Sequence, residues 1–193
     1  MRAATVLALV LAFVLTVLTV LTACGSPRSQ PAVDRLRSPR PAAAVPSTVT
    51  VPAGSQEAVV VRHTDGDTFW LRGIGAGPLP AARTKVRLLE VDTPEVFGTP
   101  GCYGRQASVR TAALLPLGSH VRVEPDRELR DRYGRLLLYV WTPAGRSLEE
   151  ELLSGGYARV LYVRPNDRHL RRLRAVEADA RRSRLGLWGA CPT

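Results

Sequence analysis

The chain has 193 residues, 27 of them basic and 17 acidic, for a formal charge of +10. That length holds one domain plus extra segments, and the charge balance points away from cationic partners and toward nucleic acid, an acidic surface or a phosphorylated substrate. Three histidines and three cysteines, scattered and without a CxxC pair, argue against a zinc–thiolate centre.

Met1-Arg2 is a short positive region, and Ala3 to Ala23 carries no charge. Residues 1–23 therefore read as a targeting segment outside the fold. Its end, Leu21-Thr22-Ala23-Cys24-Gly25, has the pattern of a bacterial lipobox, in which cleavage precedes the cysteine and Cys24 takes lipid. An ordinary cleaved signal and an uncleaved anchor are the alternatives, and all three export the domain. Residues 24–54 are dense in Pro, Ser, Ala and Arg without apolar periodicity, so they read as a flexible tether. From Ser55 to Thr193, the expected folded domain, 22 basic and 16 acidic residues remain, a net +6.

Ala58 to Val61 opens a β-branched strand, Asp65-Gly66 signals a hairpin, and Thr68 to Arg72 returns. Gly73 to Ala82 reads as a loop at a hairpin tip, tolerant of change. Thr84 to Val91 predicts a third, buried strand. Gly104 to Leu115 has helical spacing and stops at Pro116 and Gly118. Val121 to Glu124 and Leu136 to Trp141 complete five strands. Ser147 to Leu153 predicts a short helix. Asn166 or Asp167 is the expected cap of a last helix running to about Arg184, with Leu170, Leu173, Val176 or Glu177, and Ala180 as its apolar edge. Five short strands with inserted helices suit a small closed barrel, and the OB-fold has that layout. In an exported domain Cys102 and Cys191 are expected to form a disulfide.

Four stretches carry the chemistry. They are Thr64-Asp65-Gly66-Asp67-Thr68, Lys85-Val86-Arg87-Leu88-Leu89, Val91-Asp92-Thr93-Pro94-Glu95 and Asp131-Arg132-Tyr133-Gly134-Arg135. Each alone is a plain turn or strand. Read together, Asp67, Asp92 and the Thr93 carbonyl are hard oxygen donors suited to Ca²⁺ rather than Zn²⁺. Glu95 would face an attacking water, and Arg87 and Arg135 would each offer two N–H donors to a phosphoryl group.

The order and spacing of these motifs resemble the thermonuclease (staphylococcal-nuclease-like) family, from about Ala58 to Trp188. The resemblance implies an α+β fold, a five-stranded OB-fold β-barrel with three helices. It implies a Ca²⁺-dependent endonuclease, a phosphodiesterase cutting DNA and RNA with little sequence preference and leaving 3′-phosphate and 5′-hydroxyl ends. Asp67, Asp92 and Thr93 would then hold calcium, and Arg87, Glu95 and Arg135 would be catalytic. Tyr133, Tyr162, Arg132 and Arg164 would contact substrate, with Arg164 standing where the best-known member has an aromatic ring. The expected protein is a monomer, exported and tethered to a membrane through Cys24. The rival reading is a noncatalytic OB module that binds nucleic acid at the cell surface.

Overall fold

The structure, a computed structural model, describes residues 50–192. The leader, Cys24 and the tether up to residue 49 lie outside the described residues. Among the described residues no helix is long and apolar enough to cross a membrane.

Five strands close a barrel in the order β1 (Gln56–His63), β2 (Thr68–Ile74), β3 (Thr84–Leu88), β6 (Leu136–Trp141) and β5 (His120–Glu124). Neighbours are antiparallel except β3 and β6, which run parallel. A two-residue strand β4 (Val91–Asp92) pairs with β7 (Arg159–Val160) outside the barrel. Three helices, α1 (Gly104–Leu114), α2 (Leu148–Ser154) and α3 (Leu170–Arg182), and a four-residue turn α4 (Leu187–Ala190) complete the described chain. The expected α+β barrel with three helices is the architecture found.

Alternation builds the core. Phe69 and Leu71 on β2, Val86 and Leu88 on β3, and Leu136, Leu138 and Val140 on β6 are buried, and α2 and α3 add Leu148, Leu152, Leu173 and Val176. The Ser147 hydroxyl accepts from the Glu150 amide and starts α2, as its sequence position predicts. Cys102 and Cys191 are bonded, with sulfurs 2.11 Å apart, and join the segment before α1 to the segment after α4.

Three expectations give way. The third strand does not run to Val91: it stops at Leu88, and Glu90 turns the chain with a φ of 58°. The freed carbonyls of Leu88 and Val91 are taken by the Arg87 guanidinium at 2.8 and 2.6 Å. Neither Asn166 nor Asp167 caps the last helix, which begins at Leu170. Asn166 is buried and bonds the Glu128 backbone through both ends of its amide. Asp126, some forty residues upstream, accepts from the Asp167 and Arg168 amides instead. The loop between β2 and β3 is not a loose tip either. Leu79 is buried, and Gln56 holds its N–H and its carbonyl, each at 2.8 Å. A Cβ on Gly73 would lie 2.1 Å from the Leu79 carbonyl oxygen.

Candidate active site

The break in β3 shapes the site. It puts Arg87 at a strand end beside the β1–β2 turn and aims Asp92 and Glu95 into the same hollow. In the turn, the Asp65 carboxylate accepts from the amides of Asp67 and Thr68 at 3.1 and 2.7 Å, an Asx turn. That fold-back points Asp67 toward Thr93, whose amide and hydroxyl donate to Asp67 Oδ2 at 2.8 and 2.9 Å. Only glycine fits at position 66, since a Cβ there would come 2.7 Å from Thr93 Oγ1. The Gly66 carbonyl accepts from the Thr111 hydroxyl at 2.6 Å, which ties the turn to α1.

Arg87 bridges two of the acids. Its Nε is 3.3 Å from Asp67 Oδ1, and its Nη2 is 2.8 Å from Asp92 Oδ1. With both Nη1 N–H groups on the Leu88 and Val91 carbonyls and one Nη2 N–H on Asp92, three of its five donors are hydrogen-bonded, Nε faces Asp67 as an ion pair, and one terminal N–H remains. Arg135 is arranged differently. Its Nε donates to Asp131 Oδ2 at 2.7 Å, and neither of its terminal nitrogens makes a hydrogen bond to a described residue, which leaves them for a ligand. The Asp131 carboxylate also accepts from the Tyr133 and Arg135 amides. Burial acts to raise Asp131, but the hydrogen bonds from Arg135 outweigh it and hold the group below the ordinary carboxylate range.

A cleft of about 620 Å³ gathers Asp65, Asp67, Arg87, Asp92, Glu95 and Arg135, with Arg132 and Tyr133 at its edge. Glu95 is anchored through its backbone, where its carbonyl accepts from the Gly101 amide at 2.9 Å. Its carboxylate is exposed and makes no hydrogen bond to a described residue. Tyr133 stands out into solvent with two guanidiniums on its ring, Arg132 at 4.8 Å and Arg135 at 5.5 Å.

Tyr162 and Arg164 are not on the wall of this cleft; Leu161 and Val163 are. Asp65 and Asp131 belong to the site as well. Their signal was in the motifs, two acids flanking Gly66 and an acid four residues before Arg135, but both read first as turn residues.

The site fits a hard divalent cation by its donors and its charge. Asp67, Asp92 and the Thr93 carbonyl supply only oxygen. Negative charge is in excess around them. Burial and the neighbouring Asp67 push the Asp65 carboxyl up to about 6. Burial also raises Asp92, against the pull of Arg87. Among the described residues no three His, Cys, Asp or Glu side chains converge as a metal centre, so the candidate set is two carboxylates plus a backbone carbonyl.

Comparison with known proteins matches this geometry to a lineage. The family model described as "Staphylococcal nuclease homologue" covers residues 85–190, which include Arg87, Asp92, Thr93, Glu95 and Arg135. Endonuclease YncB of Bacillus subtilis (strain 168) is 39% identical over 132 residues, 66% of this chain and 59% of that protein. Endonuclease YhcR of the same organism is 32% identical over 145 residues, 70% of this chain but 12% of that protein. Thermonuclease of Staphylococcus hyicus is 34% identical over 140 residues, 70% of this chain and 78% of that protein. The chain thus spans less than two thirds of each of the two Bacillus proteins. With more than half of its length inside the family model and a barrel that brings the motif residues to one cleft, this chain belongs to the staphylococcal nuclease homologue family.

Proposed function

We propose that the cleft hydrolyses phosphodiester bonds in DNA and RNA as a calcium-dependent endonuclease with little sequence preference, leaving 3′-phosphate and 5′-hydroxyl ends. One observation carries this reading: the free fork of Arg135 and the unpaired carboxylate of Glu95 line the same cleft as the oxygen-rich wall of Asp67 and Asp92. Asp67, Asp92 and the Thr93 carbonyl would hold the ion, which when bound polarises a phosphoryl oxygen and orients a water. Arg135, fixed through its Nε by Asp131, places two N–H donors on the equatorial oxygens as their charge grows. Arg87 contributes its one remaining N–H there and holds Asp67 and Asp92 in place. Glu95 takes the proton of the attacking water or orients it through its exposed carboxylate. Tyr133 and Arg132 meet the nucleotide at the cleft edge, and Leu161 and Val163 give its base an apolar wall.

With Ca²⁺ the full chain is expected to degrade both DNA and RNA, and excess chelator should stop it. Glu95→Gln should lower kcat by about 10²–10⁴-fold. Cleavage that persists in chelator would sink the calcium reading, and end-labelling of the products decides the end chemistry.

We further infer that the protein is exported as a monomer and held to a membrane through lipid on Cys24. The lipobox-like Leu21 to Gly25 and the Cys102–Cys191 disulfide, a bond of oxidising compartments, support this reading. Cells fed labelled palmitate should label the protein, and Cys24→Ser should abolish the label. Equal labelling of both would remove the anchor.

A further inference from the structure

We propose that the Cys102–Cys191 disulfide is a positioning element for Glu95, so that hydrolysis in the cleft is gated by the oxidation state of this bond. The inference rests on the proposed hydrolysis for its kinetic readout, and on backbone contacts for its geometry. The Glu95 carboxylate has no hydrogen-bond partner among the described residues, so its place in the cleft is set by its main chain. That main chain leans on one short segment. The Gly101 amide donates to the Glu95 carbonyl at 2.9 Å, and the Gly104 amide donates back to the Gly101 carbonyl at 3.0 Å. A Cβ on Gly101 would lie 2.8 Å from Pro94 Cβ, and one on Gly104 would lie 2.4 Å from the Glu95 carbonyl oxygen. Cys102 sits between these two close contacts.

The sulfur bridge is what ties this segment to the body. Residues 97–100 are exposed, so the chain between Glu95 and Gly101 buries too little to fix itself. Tyr103 adds a tilted ring contact with Tyr157 at 5.6 Å, and Cys102 adds the covalent link. The far end of that link is a fixed block. Leu187 is buried, its amide donates to the Gly156 carbonyl at 2.8 Å, and the Cys191 amide donates to the Leu187 carbonyl at 3.1 Å. In the same block Arg159 lays its guanidinium 4.8 Å over the Trp188 ring, and Arg159 stands opposite Asp92 in the β4–β7 pair. The bond thus refers Glu95 to the body that also carries Asp92. The other site residues are held without it: Asp67 by Thr93 and Arg87, and Arg135 by Asp131. Cys102 is exposed and Cys191 half-exposed, so a dithiol reaches the bond. The dithiol gives two electrons and two protons to the cystine, leaving two cysteine thiols and closing into its own disulfide. Glu95 then keeps its chemistry and loses its place, and a misplacement of about 1 Å at a reacting group can cost about 10²-fold in rate.

The test compares the oxidised full chain, the same chain reduced with dithiothreitol, and the variant Cys102→Ser/Cys191→Ser. On reduction, amide hydrogen exchange of residues 96–103 should speed up about tenfold or more while the barrel strands keep their protection. With Ca²⁺ and DNA, kcat should fall about 10–10²-fold and KM should move by less than about twofold. In Glu95→Gln the same reduction should change kcat by less than about twofold, because the group being positioned is already gone. Unchanged exchange, or an unchanged kcat, overturns the proposal. An equal fractional loss of kcat in Glu95→Gln, or faster exchange throughout the barrel, overturns it in favour of a general staple of the fold. If the serine variant does not fold, the reduced parent decides by the same readings. If the oxidised parent cleaves nothing, the proposed hydrolysis fails, and the exchange of residues 96–103 decides the positioning by itself.

Discussion

Arg135→Ala is expected to lower kcat/KM on DNA by about 10²–10³-fold, the loss typical of one preformed donor to a charged transition state. Arg135 is the side chain that the fold prepares for this task. Its Nε is committed to Asp131, which sets the plane of the guanidinium, and its terminal nitrogens stay free. Arg135→Lys should fail nearly as badly, because an ammonium cannot present two parallel donors. The folding cost should be small. The Arg135–Asp131 pair is partly exposed, and Asp131 keeps two backbone amides. Steady-state kinetics at saturating Ca²⁺, alongside thermal melts of parent and variant, separate the two effects. A rate loss under tenfold would take Arg135 out of the phosphate site. A large loss that tracks a collapsed melting temperature would make its role structural.

The second large effect concerns stability. Glu90 is 4% exposed, and neither of its carboxylate oxygens has a hydrogen-bond partner among the described residues. Burial pushes its carboxyl up to about 7 from an ordinary 4.5; the Tyr139 side chain opposes the shift and Asp126 adds to it. A raised acid holds its proton more tightly when folded, so its contribution is fully present below about pH 4.5 and is lost as pH rises through 7. Ionising it in place costs about 3 kcal/mol at higher pH. Glu90→Met, similar in length and unable to ionise, should therefore raise the melting temperature at pH 8 by about 10 °C and far less at pH 4.5. Glu149 keeps some pH dependence in the variant. Burial raises its carboxyl to about 8, although it is bonded by the Val140 amide and the Ser147 hydroxyl. The same gain at both pH values would show that Glu90 is not the titrating group.

Glu90 also marks where local pattern stops being informative. Thr84 to Val91 reads as one strand because its apolar run is nearly continuous. In the fold Glu90 is buried at a left-handed turn, where the chain leaves β3 for β4. The turn turns Arg87 inward onto the Leu88 and Val91 carbonyls and spends most of its donors. A motif places an arginine in a site, but it does not count the N–H groups left once backbone groups have claimed theirs. The same limit applies to Tyr162 and Arg164. They are the residues of recognisable chemistry in that stretch, yet the cleft is lined by Leu161 and Val163.

The sequence by itself determined the barrel strands, the three helices and the acids and arginines of the cleft. These follow from short-range rules: alternation with a period of two, helical spacing, turn residues, and motifs whose members lie within a few positions of one another. Tertiary structure alone decided which donors stay free. Asp67 meets Thr93 across 26 positions, and Thr111 reaches Gly66 across 45. It also decided that Arg62, Trp70 and Lys85, separate in the sequence, stand in one row across three adjacent strands. The reason is register. Pairing between strands is set by the closure of the whole barrel, and no local pattern carries that information.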